Sequence, residues 1–311
     1  MLVHYDINRL PAFRNAVVTI GTFDGVHLGH QQIILQLKTE AAIVNGESVI
    51  ITFHPHPRKV VSEKEIFILT TPEEKNQLLE KKGIDHLVVV PFDESFSEQS
   101  PETYIENFLF DKCRPHTVII GYDHKFGKGR KGNYKLLEAY SEKLGFTVKE
   151  IPEHVLNDVV ISSTKIREAL LHGDVQTANN YLGYHYFFEG TVVAGDKIGR
   201  TLGYPTANLR IKDKEKLVPG NGVYAVAADL FTGDTIISHQ GMMSIGVRPT
   251  INGKTRMIEV NIFDFNEDIY GQKMRVHVHH YLREEIKFDN LDGLKEQIAK
   301  DKIKSIELLA Q

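Results

Sequence analysis

A turn suited to phosphate chemistry lies early in the chain, in the segment Gly21-Thr-Phe-Asp-Gly-Val-His27-Leu-Gly-His30. It follows a short β-branched run and precedes a segment with helical spacing. Glycines let a backbone approach a ligand, and the N-terminus of a helix offers free N–H groups to anionic oxygens. His27 and His30 add side-chain donors three residues apart. This combination predicts a polyphosphate site; the structural alternative is a tight turn with two capping histidines.

A second set of phosphate-binding groups opens a later predicted helix. Ser162, Ser163 and Thr164 provide hydroxyl groups at its start, and Lys165 and Arg167 follow within one turn. Such groups can hold the β- and γ-phosphates of a nucleotide from the side opposite the histidines. Alone, this pattern is usually only a helix cap. Together, the two motifs resemble the two-part clamp of the nucleotidyltransferase superfamily, in which paired histidines stabilise charge on the α-phosphate and the departing pyrophosphate.

The glycine-rich stretch from Gly121 to Gly132 resembles two common nucleotide motifs but satisfies neither. It lacks the spacing and the Ser or Thr of a Walker A loop, and it is too far from its strand and too basic for a dehydrogenase-type fingerprint. It is interpreted as a basic loop, which either closes over phosphates or is simply solvated.

The second half of the chain carries a different constellation, Gly199-Arg-Thr-Leu-Gly203-Tyr-Pro205-Thr206-Ala-Asn208. Oxygen ligands from Thr206 and Asn208 suit Mg²⁺, which favours hard oxygens and keeps waters and substrate phosphates as its other ligands. Glu259 lies in a predicted strand of alternating polarity. If Met257 and Asn261 share its face, the acid is expected to point into the mouth of a barrel; a solvent-facing acid is the alternative.

These motifs need two different frameworks. In residues 1–183, short apolar strands alternate with amphipathic helices, which predicts a doubly wound parallel sheet with ligands at the carboxyl ends of its strands. After Gly183, many strands at short spacing are followed by one long helix that begins near Asp289. This predicts a closed antiparallel β-barrel with a C-terminal helix. The domain boundary is placed at residues 183–186, which gives domains 1–183 and 184–311.

Composition restricts the classes of function. The 311 residues suit two domains, and 37 basic against 41 acidic side chains give a net charge of -4, which argues against nucleic acid as a partner. No apolar run is long enough for a membrane span, so a cytoplasmic protein is expected. The single Cys113 is expected to be a buried apolar residue. No zinc bound by the protein is expected, because His277 with His279 and His54 with His56 lack a third ligand at a suitable spacing.

With both sets of motifs, nearly the whole chain resembles the bacterial family of bifunctional riboflavin kinase and FMN adenylyltransferase, or FAD synthetases. Further segments carry the resemblance: Phe53 to Arg58, Gly121 to Gly127, Gly222 to Ala225, Gly246 to Thr250, Asp264-Phe265, Tyr270-Gly271 and Leu282 to Glu285. Three positions, His124, Ser244 and Asn261, depart from the family pattern and put rate or flavin preference in doubt. They also leave open a paralogue that has lost one activity.

The resemblance implies two ATP-dependent, Mg²⁺-requiring reactions: riboflavin is phosphorylated to FMN, and FMN is adenylylated to FAD with release of pyrophosphate. It implies catalytic roles for His27, His30 and Glu259 and Mg²⁺ ligation by Thr206 and Asn208. Nucleotide contacts are implied for Gly21, Phe23, Asp24, Gly29, Ser162, Ser163, Thr164, Arg167, Gly199, Arg200, Gly203 and Pro205. Flavin contacts are implied for Pro55, His56, Pro57, Arg58, Asp123 and Arg283.

Two alternatives stay open at this point. One is a different nucleotidyltransferase fused to an unrelated barrel, which leaves the Pro-Thr-Ala-Asn segment and Glu259 without a role. The other is a flavin-binding or storage protein without enzymatic activity, which two phosphate-handling sites disfavour.

Overall fold

Six parallel strands form the sheet of the first compact unit, Met1–Ser163. The structure, a computed structural model, describes residues 1–62, 65–152, 161–195, 198–233, 235–250 and 253–310. The strands are β1 (Leu2–His4), β2 (Val17–Ile20), β3 (Ser48–His54), β4 (His86–Pro91), β5 (Thr117–Gly121) and β6 (Thr147–Ile151). Their order across the sheet is β1-β4-β3-β2-β5-β6.

Helical segments connect these strands. They are α1 (Leu28–Ile43), α2 (Pro57–Val61), α3 (Pro72–Lys81), α4 (Glu94–Ser97), α5 (Pro101–Thr103), a π-helical turn (Tyr104–Phe110), α6 (Asp111–Cys113) and α7 (Tyr134–Leu144). Both faces of the sheet are buried: Val18 and Val118 belong to one apolar cluster, whereas Val17 and Ile119 belong to another. Since neighbouring strand residues point to opposite faces, this burial confirms the predicted doubly wound sheet.

The second compact unit, Thr164–Gln311, is built around a closed barrel. Its strands are β7 (Phe187–Val193), β8 (Ala207–Arg210), β9 (Gly222–Thr232), β10 (Thr235–Thr250), β11 (Gly253–Ile262) and β12 (Lys273–Arg283), in the circular order β10-β11-β8-β7-β12-β9. The strand pairs of the barrel are antiparallel, as predicted. Its helices are α8 (Ser163–Leu171), α9 (Val175–Leu182), α10 (Ile198–Thr201) and α11 (Leu291–Leu309).

The division into compact units falls at the start of α8, between Ser163 and Thr164, about one helix pair earlier than the predicted boundary at 183–186. Asn179 on α9 explains part of this grouping, because its amide donates to the Val278 carbonyl on β12 over 2.9 Å and accepts from the Tyr186 N–H over 2.8 Å. The functional boundary at 183 stays a prediction. Within the described residues, no helix is both long and apolar enough to cross a membrane.

The C-terminal helix α11 is attached to the barrel by a paired charge. Arg283, at the end of β12, donates through Nε and Nη2 to the carboxylate of Asp301 over 2.6–3.1 Å. Asp301 is buried and also accepts from Gln297 over 2.9 Å. The guanidinium predicted to contact flavin is therefore engaged in holding this helix.

We expect Asp301→Ala to lower the free energy of unfolding of the barrel unit by about 3–5 kcal/mol, because it leaves Arg283 without its buried partner. Urea unfolding followed by circular dichroism measures this change. Glu296→Ala removes an exposed carboxylate from the same helix and is the matched control. Equal unfolding midpoints for the two variants would show that the ion pair does not hold the helix.

Candidate active sites

The β2–α1 loop, residues 21–27, lies at the point where the strand order of the sheet reverses. After β2 the chain moves outward through β3 and β4, and it later returns to place β5 on the other side of β2. In such sheets the crevice at the carboxyl ends of the strands on either side of this point binds ligands. The segment Gly21 to His30 begins at that end of β2, so the topology places both histidines at the expected edge of the sheet.

The backbone of the β2–α1 loop adopts a conformation that the isolated segment would resist. Phe23 and Val26 have positive φ values of 47° and 38°, and Gly25 has φ 81°. A left-handed conformation is costly for an aromatic or β-branched residue, by about 1–3 kcal/mol each, and persists only when surrounding contacts enforce it. The loop must therefore be held from outside.

Asp24 provides one of these contacts. Its buried carboxylate accepts hydrogen bonds from the backbone N–H groups of Leu69 and Thr70 over 2.9–3.1 Å. The Gly25 N–H donates to the Thr70 hydroxyl over 3.1 Å. Asp24 was predicted to bind nucleotide; in the structure its carboxylate joins the loop to the segment before α3.

Lys75 provides another contact, and sequence analysis missed it. Its Nζ donates to the Thr22 carbonyl over 2.9 Å and to the Thr52 hydroxyl over 3.2 Å. Burial lowers the pKa of Lys75 to about 8, against the opposing effect of Asp24. The only sequence signal is a lysine one turn after the Thr71 cap of α3, and no motif connects it to the histidines fifty residues earlier.

His27 and His30 form a stacked pair at the start of α1. Their ring centroids lie 3.7 Å apart with an interplanar angle of 17°. His27 is the N-cap of α1, and its Nδ1 accepts from the His30 N–H over 3.4 Å. His27 therefore serves as a structural cap of α1 as well as a candidate contact for a ligand.

His30 is the more strongly perturbed member of the pair. Burial, then the neighbouring charges of His27 and Lys75, holds its pKa well below the usual range, so the ring is neutral near pH 7. Within the described residues, its buried Nδ1 has no hydrogen-bond partner. An unsatisfied ring nitrogen beside a helix N-terminus is a candidate contact for a ligand oxygen.

One member of the predicted hydroxyl cluster at the start of α8 contacts this loop. The Ser163 hydroxyl donates to the Asp24 carbonyl over 3.0 Å, so its single hydrogen is already used in holding the loop. Ser162 precedes the helix, whereas Thr164 and Arg167 belong to the second compact unit. The clamp from both sides therefore stays a prediction.

Of the residues predicted to contact flavin, Arg283 lies at the end of β12 in the second unit, and the other five lie in two turns of the first unit. The His54–Pro55 peptide bond is cis, and His56 caps α2, accepting from the Arg58 N–H over 3.2 Å, with Pro57 in the first turn. Arg58 is exposed. Asp123 is also exposed, in the turn after β5.

The basic loop after Asp123 is anchored by an aromatic residue. Phe126 is buried, stacks on Tyr104 with centroids 5.1 Å apart, and pairs with Gly132 in a short antiparallel bridge. Burial lowers the pKa of His124 to about 4, and its Nε2 has no partner in the described part of the chain. The loop is thus fixed at its base, and its Lys128 side chain pairs with Glu98.

The motif of the second unit forms a tight loop before β8. Tyr204 N–H donates to the Gly199 carbonyl over 2.8 Å, and Gly199 has no room for a Cβ against the Tyr204 carbonyl. Gly203 has φ 84°, which favours glycine. Asn261, on β11, donates to the Pro205 carbonyl over 2.7 Å and holds the loop against the barrel.

Glu259 lies opposite Asn208 in the pairing of β11 with β8. The predicted alternation is confirmed, since Ile258 and Val260 are buried while Met257 and Glu259 are less so. However, Val260 pairs with the core residue Met243 and faces the barrel interior. Glu259 and Asn208 therefore share the outer face, and the expectation that Glu259 points into the barrel mouth is wrong.

The outer face is covered at this point. Asn208 is buried against Gly195, where no Cβ would fit, and its Oδ1 has no hydrogen-bond partner in the described residues. A cavity of about 560 Å³ opens on the other side of β8 and β11. Its lining includes Val192, Arg200, Pro205, Thr206, Ala207 and Val260. The loop Gly199 to Pro205 thus joins a cavity to the Asn208–Glu259 pair.

The barrel histidines do not form a metal site in the described residues, where no group of three or more potential ligands has suitable geometry. His279 stacks on His185 with centroids 3.7 Å apart, and burial followed by the neighbouring histidines lowers its pKa to about 4. His277 pairs with Asp229 over 2.8 Å.

Comparison with known proteins matches both halves of the chain. A family described as FAD synthetase matches residues 10–165, and one described as riboflavin kinase matches residues 182–309. The bifunctional riboflavin kinase/FMN adenylyltransferase of Haemophilus influenzae is 40% identical over 298 residues, 96% of this chain and 94% of its own. Its counterpart from Bacillus subtilis is also 40% identical over 298 residues, 94% of this chain and 92% of its own.

A solved structure is similar over the whole length. The crystal structure of a protein from Streptococcus pneumoniae described as a macrolide-efflux protein has a TM-score of 0.87 and 30% identity, and the match covers 98% of both chains.

Proposed function

The chain belongs to the family of bifunctional riboflavin kinase/FMN adenylyltransferases, and on this premise we propose which residues perform each reaction. It is an ATP-dependent transferase that converts riboflavin to FMN and FMN to FAD. We assign adenylyl transfer to residues 1–183 and phosphorylation to residues 184–311. Since ATP is a cytoplasmic co-substrate, we place the enzyme in the cytoplasm.

The observation that carries the assignment of adenylyl transfer is the stacked His27–His30 pair at the carboxyl end of β2. The phosphate of FMN has a second pKa of about 6, so the nucleophile is already ionised at neutral pH and no base is needed. What the reaction requires is alignment and stabilisation of charge on the α-phosphate. His27 and His30 supply N–H donors there, and Gly21, Phe23 and Gly29 shape the loop around the nucleotide.

Phosphorylation of riboflavin makes a different demand. Its attacking group is an alcohol with a pKa of about 16, close to that of water, so a positioned base accelerates the reaction. Glu259 is our candidate for this base, because it pairs across the strands with Asn208 beside the loop Gly199 to Pro205. Gly199, Arg200, Gly203 and Pro205 of this loop are our candidates for contacts with the nucleotide.

Mg²⁺ fits the donor set of the second unit. The buried Oδ1 of Asn208 lacks a partner in the described residues, and an amide oxygen is a ligand that Mg²⁺ accepts. We propose Asn208 and Thr206 as its ligands, with ATP phosphates and water completing the shell. When bound, the ion neutralises charge that develops on the phosphoryl oxygens.

The direct test is incubation of the protein with riboflavin, ATP and Mg²⁺, followed by chromatography of the flavins. We expect FMN to form first and FAD to follow, with both steps lost when the metal is chelated. Persistence of riboflavin without ATP consumption, under both aerobic and reducing conditions, would contradict the enzymatic assignment. Formation of FMN but not of FAD would contradict only the adenylyl transfer that we propose for the first unit.

Replacement of both His27 and His30 by Ala is expected to abolish FAD formation from FMN while riboflavin phosphorylation continues. Loss of one such donor typically costs about 10²–10³ in rate. Phosphorylation by the same sample serves as the internal control for folding. If a folded double variant lost both activities equally, the two reactions would not be separated between the units.

Glu259→Gln keeps the shape of the side chain but removes the proton acceptor. At saturating ATP and Mg²⁺ we expect riboflavin phosphorylation to fall by about 10²–10⁴ while FAD formation from FMN is retained. Thr206→Ala removes a proposed Mg²⁺ ligand and not the base. We therefore expect added Mg²⁺ to restore part of the riboflavin phosphorylation in that variant. Glu259 is not the base if the Gln variant stays within a few-fold of the unaltered enzyme.

A further inference from the structure

Lys75 lies behind the phosphate-binding turn, on α3, and belongs to neither of the two sequence motifs. We infer that Lys75 is a positioning residue for adenylyl transfer: it fixes the β2–α1 loop and supplies a positive charge close to His30. This inference rests on the proposed adenylyl transfer in the first unit. It adds a residue that no spacing rule connects to the site.

The geometry around Lys75 is a closed triangle of hydrogen bonds. Its Nζ donates to the Thr22 carbonyl over 2.9 Å and to the Thr52 hydroxyl over 3.2 Å. The Thr52 hydroxyl lies 3.1 Å from the same Thr22 carbonyl and donates to it. Thr22 immediately precedes Phe23, the first left-handed residue of the loop. Lys75 therefore holds the loop at the residue where its unusual backbone begins.

The helix that carries Lys75 is itself fixed. Thr71 and Glu74 form a reciprocal capping box at the start of α3, over 2.9 and 3.2 Å. The preceding Thr70 binds the Asp24 carboxylate over 3.0 Å. The ammonium group thus approaches the loop from a rigid support, which is what pre-organisation of a phosphate site requires.

The charge of Lys75 interacts with Asp24 and with His30, on which the His27 ring stacks. Asp24 lies on the loop, and His27 and His30 lie at the start of α1. Asp24 favours the charged form of Lys75, burial disfavours it, and the lysine in turn lowers the pKa of His30. A cation in this position attracts the phosphates of ATP and FMN and helps to keep the His30 ring neutral.

The pH dependence of FAD formation distinguishes a positioning role of Lys75 from a purely structural one. The pKa of Lys75 is about 8, so its charge is present below pH 8 and is lost as the pH rises through that value. Because kcat/KM reports the ionisation of the free enzyme, we expect kcat/KM for FAD formation to fall on the alkaline side of about pH 8. Riboflavin phosphorylation by the same protein should show no such fall.

The experiment compares Lys75→Met and Lys75→Arg with Lys81→Met, which removes an exposed lysine from the same helix. In Lys75→Met we expect kcat/KM for FAD formation at pH 7 to drop by about 10²-fold, with no remaining alkaline fall. Lys75→Arg retains a permanent charge, so it should recover part of the rate and shift the fall upward by more than one pH unit. The control should match the unaltered enzyme.

A second readout does not depend on activity. Titration of the His30 ring by NMR in the protein without substrates, assigned with His30→Gln, should give a higher pKa in Lys75→Met than in the unaltered protein. Lys75→Arg should keep it low. This measurement uses the full chain and separates the electrostatic effect from folding.

The inference is overturned if folded Lys75→Met stays within about threefold of the unaltered enzyme at pH 7, or if both activities fall together. It is also overturned if the His30 pKa does not respond. If the unaltered protein makes FMN but no FAD, the proposed adenylyl transfer fails, and the His30 titration alone decides the role of Lys75. Should Lys75→Met not fold, the pH profile of Lys75→Arg takes its place, and an unshifted alkaline fall contradicts the inference.

Discussion

The geometry of the first unit depends on holding a left-handed stretch of backbone between β2 and α1. Phe23 and Val26 adopt positive φ values that their side chains disfavour, and the contacts of Asp24 and Lys75 offset that cost. Both contacts end on α3 or on the segment before it. The position of the first turn of α1, which carries the stacked histidines, therefore depends on contacts with α3 and with the segment before it.

In the second unit, the register of the strands positions the polar side chains. Cross-strand partners in a closed barrel point to the same side, so Asn208 and Glu259 are neighbours without any loop between them. The interior positions of β11 are apolar and complete the core. This leaves the outer face for polar chemistry, where Asn261 attaches the Gly199–Pro205 loop. A one-residue slip of β11 would exchange the two faces and bury Glu259 in the core.

Sequence patterns predicted the alternation of strands and helices in the first unit and four strands of the barrel, at residues 186–193, 223–230, 256–265 and 273–282. They missed β1, which has only the three residues Leu2–His4, and β10, whose polar and glycine-containing sequence lacks a clear period. The strand β8 was hidden within the motif that ends at Asn208. Local motifs identified the histidine pair because its members are three residues apart. Lys75 and the Arg283–Asp301 pair depend on contacts between distant segments, which periodicity does not encode.

The two reactions use different nucleophiles, and the proposed division of the reactions between the two units follows that difference. An alcohol needs a nearby carboxylate as a base, whereas a phosphate dianion is repelled by one. In the barrel, Glu259 stands on the face where the hydroxyl reaction is assigned. In the first unit, the carboxylate nearest the histidines in sequence is Asp24, and its oxygens accept hydrogen bonds from Leu69 and Thr70 behind the loop. Lys75 further balances that negative charge. A carboxylate base for an alcohol and a set of N–H and positive groups for two phosphorylated substrates are different requirements, and the proposed assignment gives each of them its own framework.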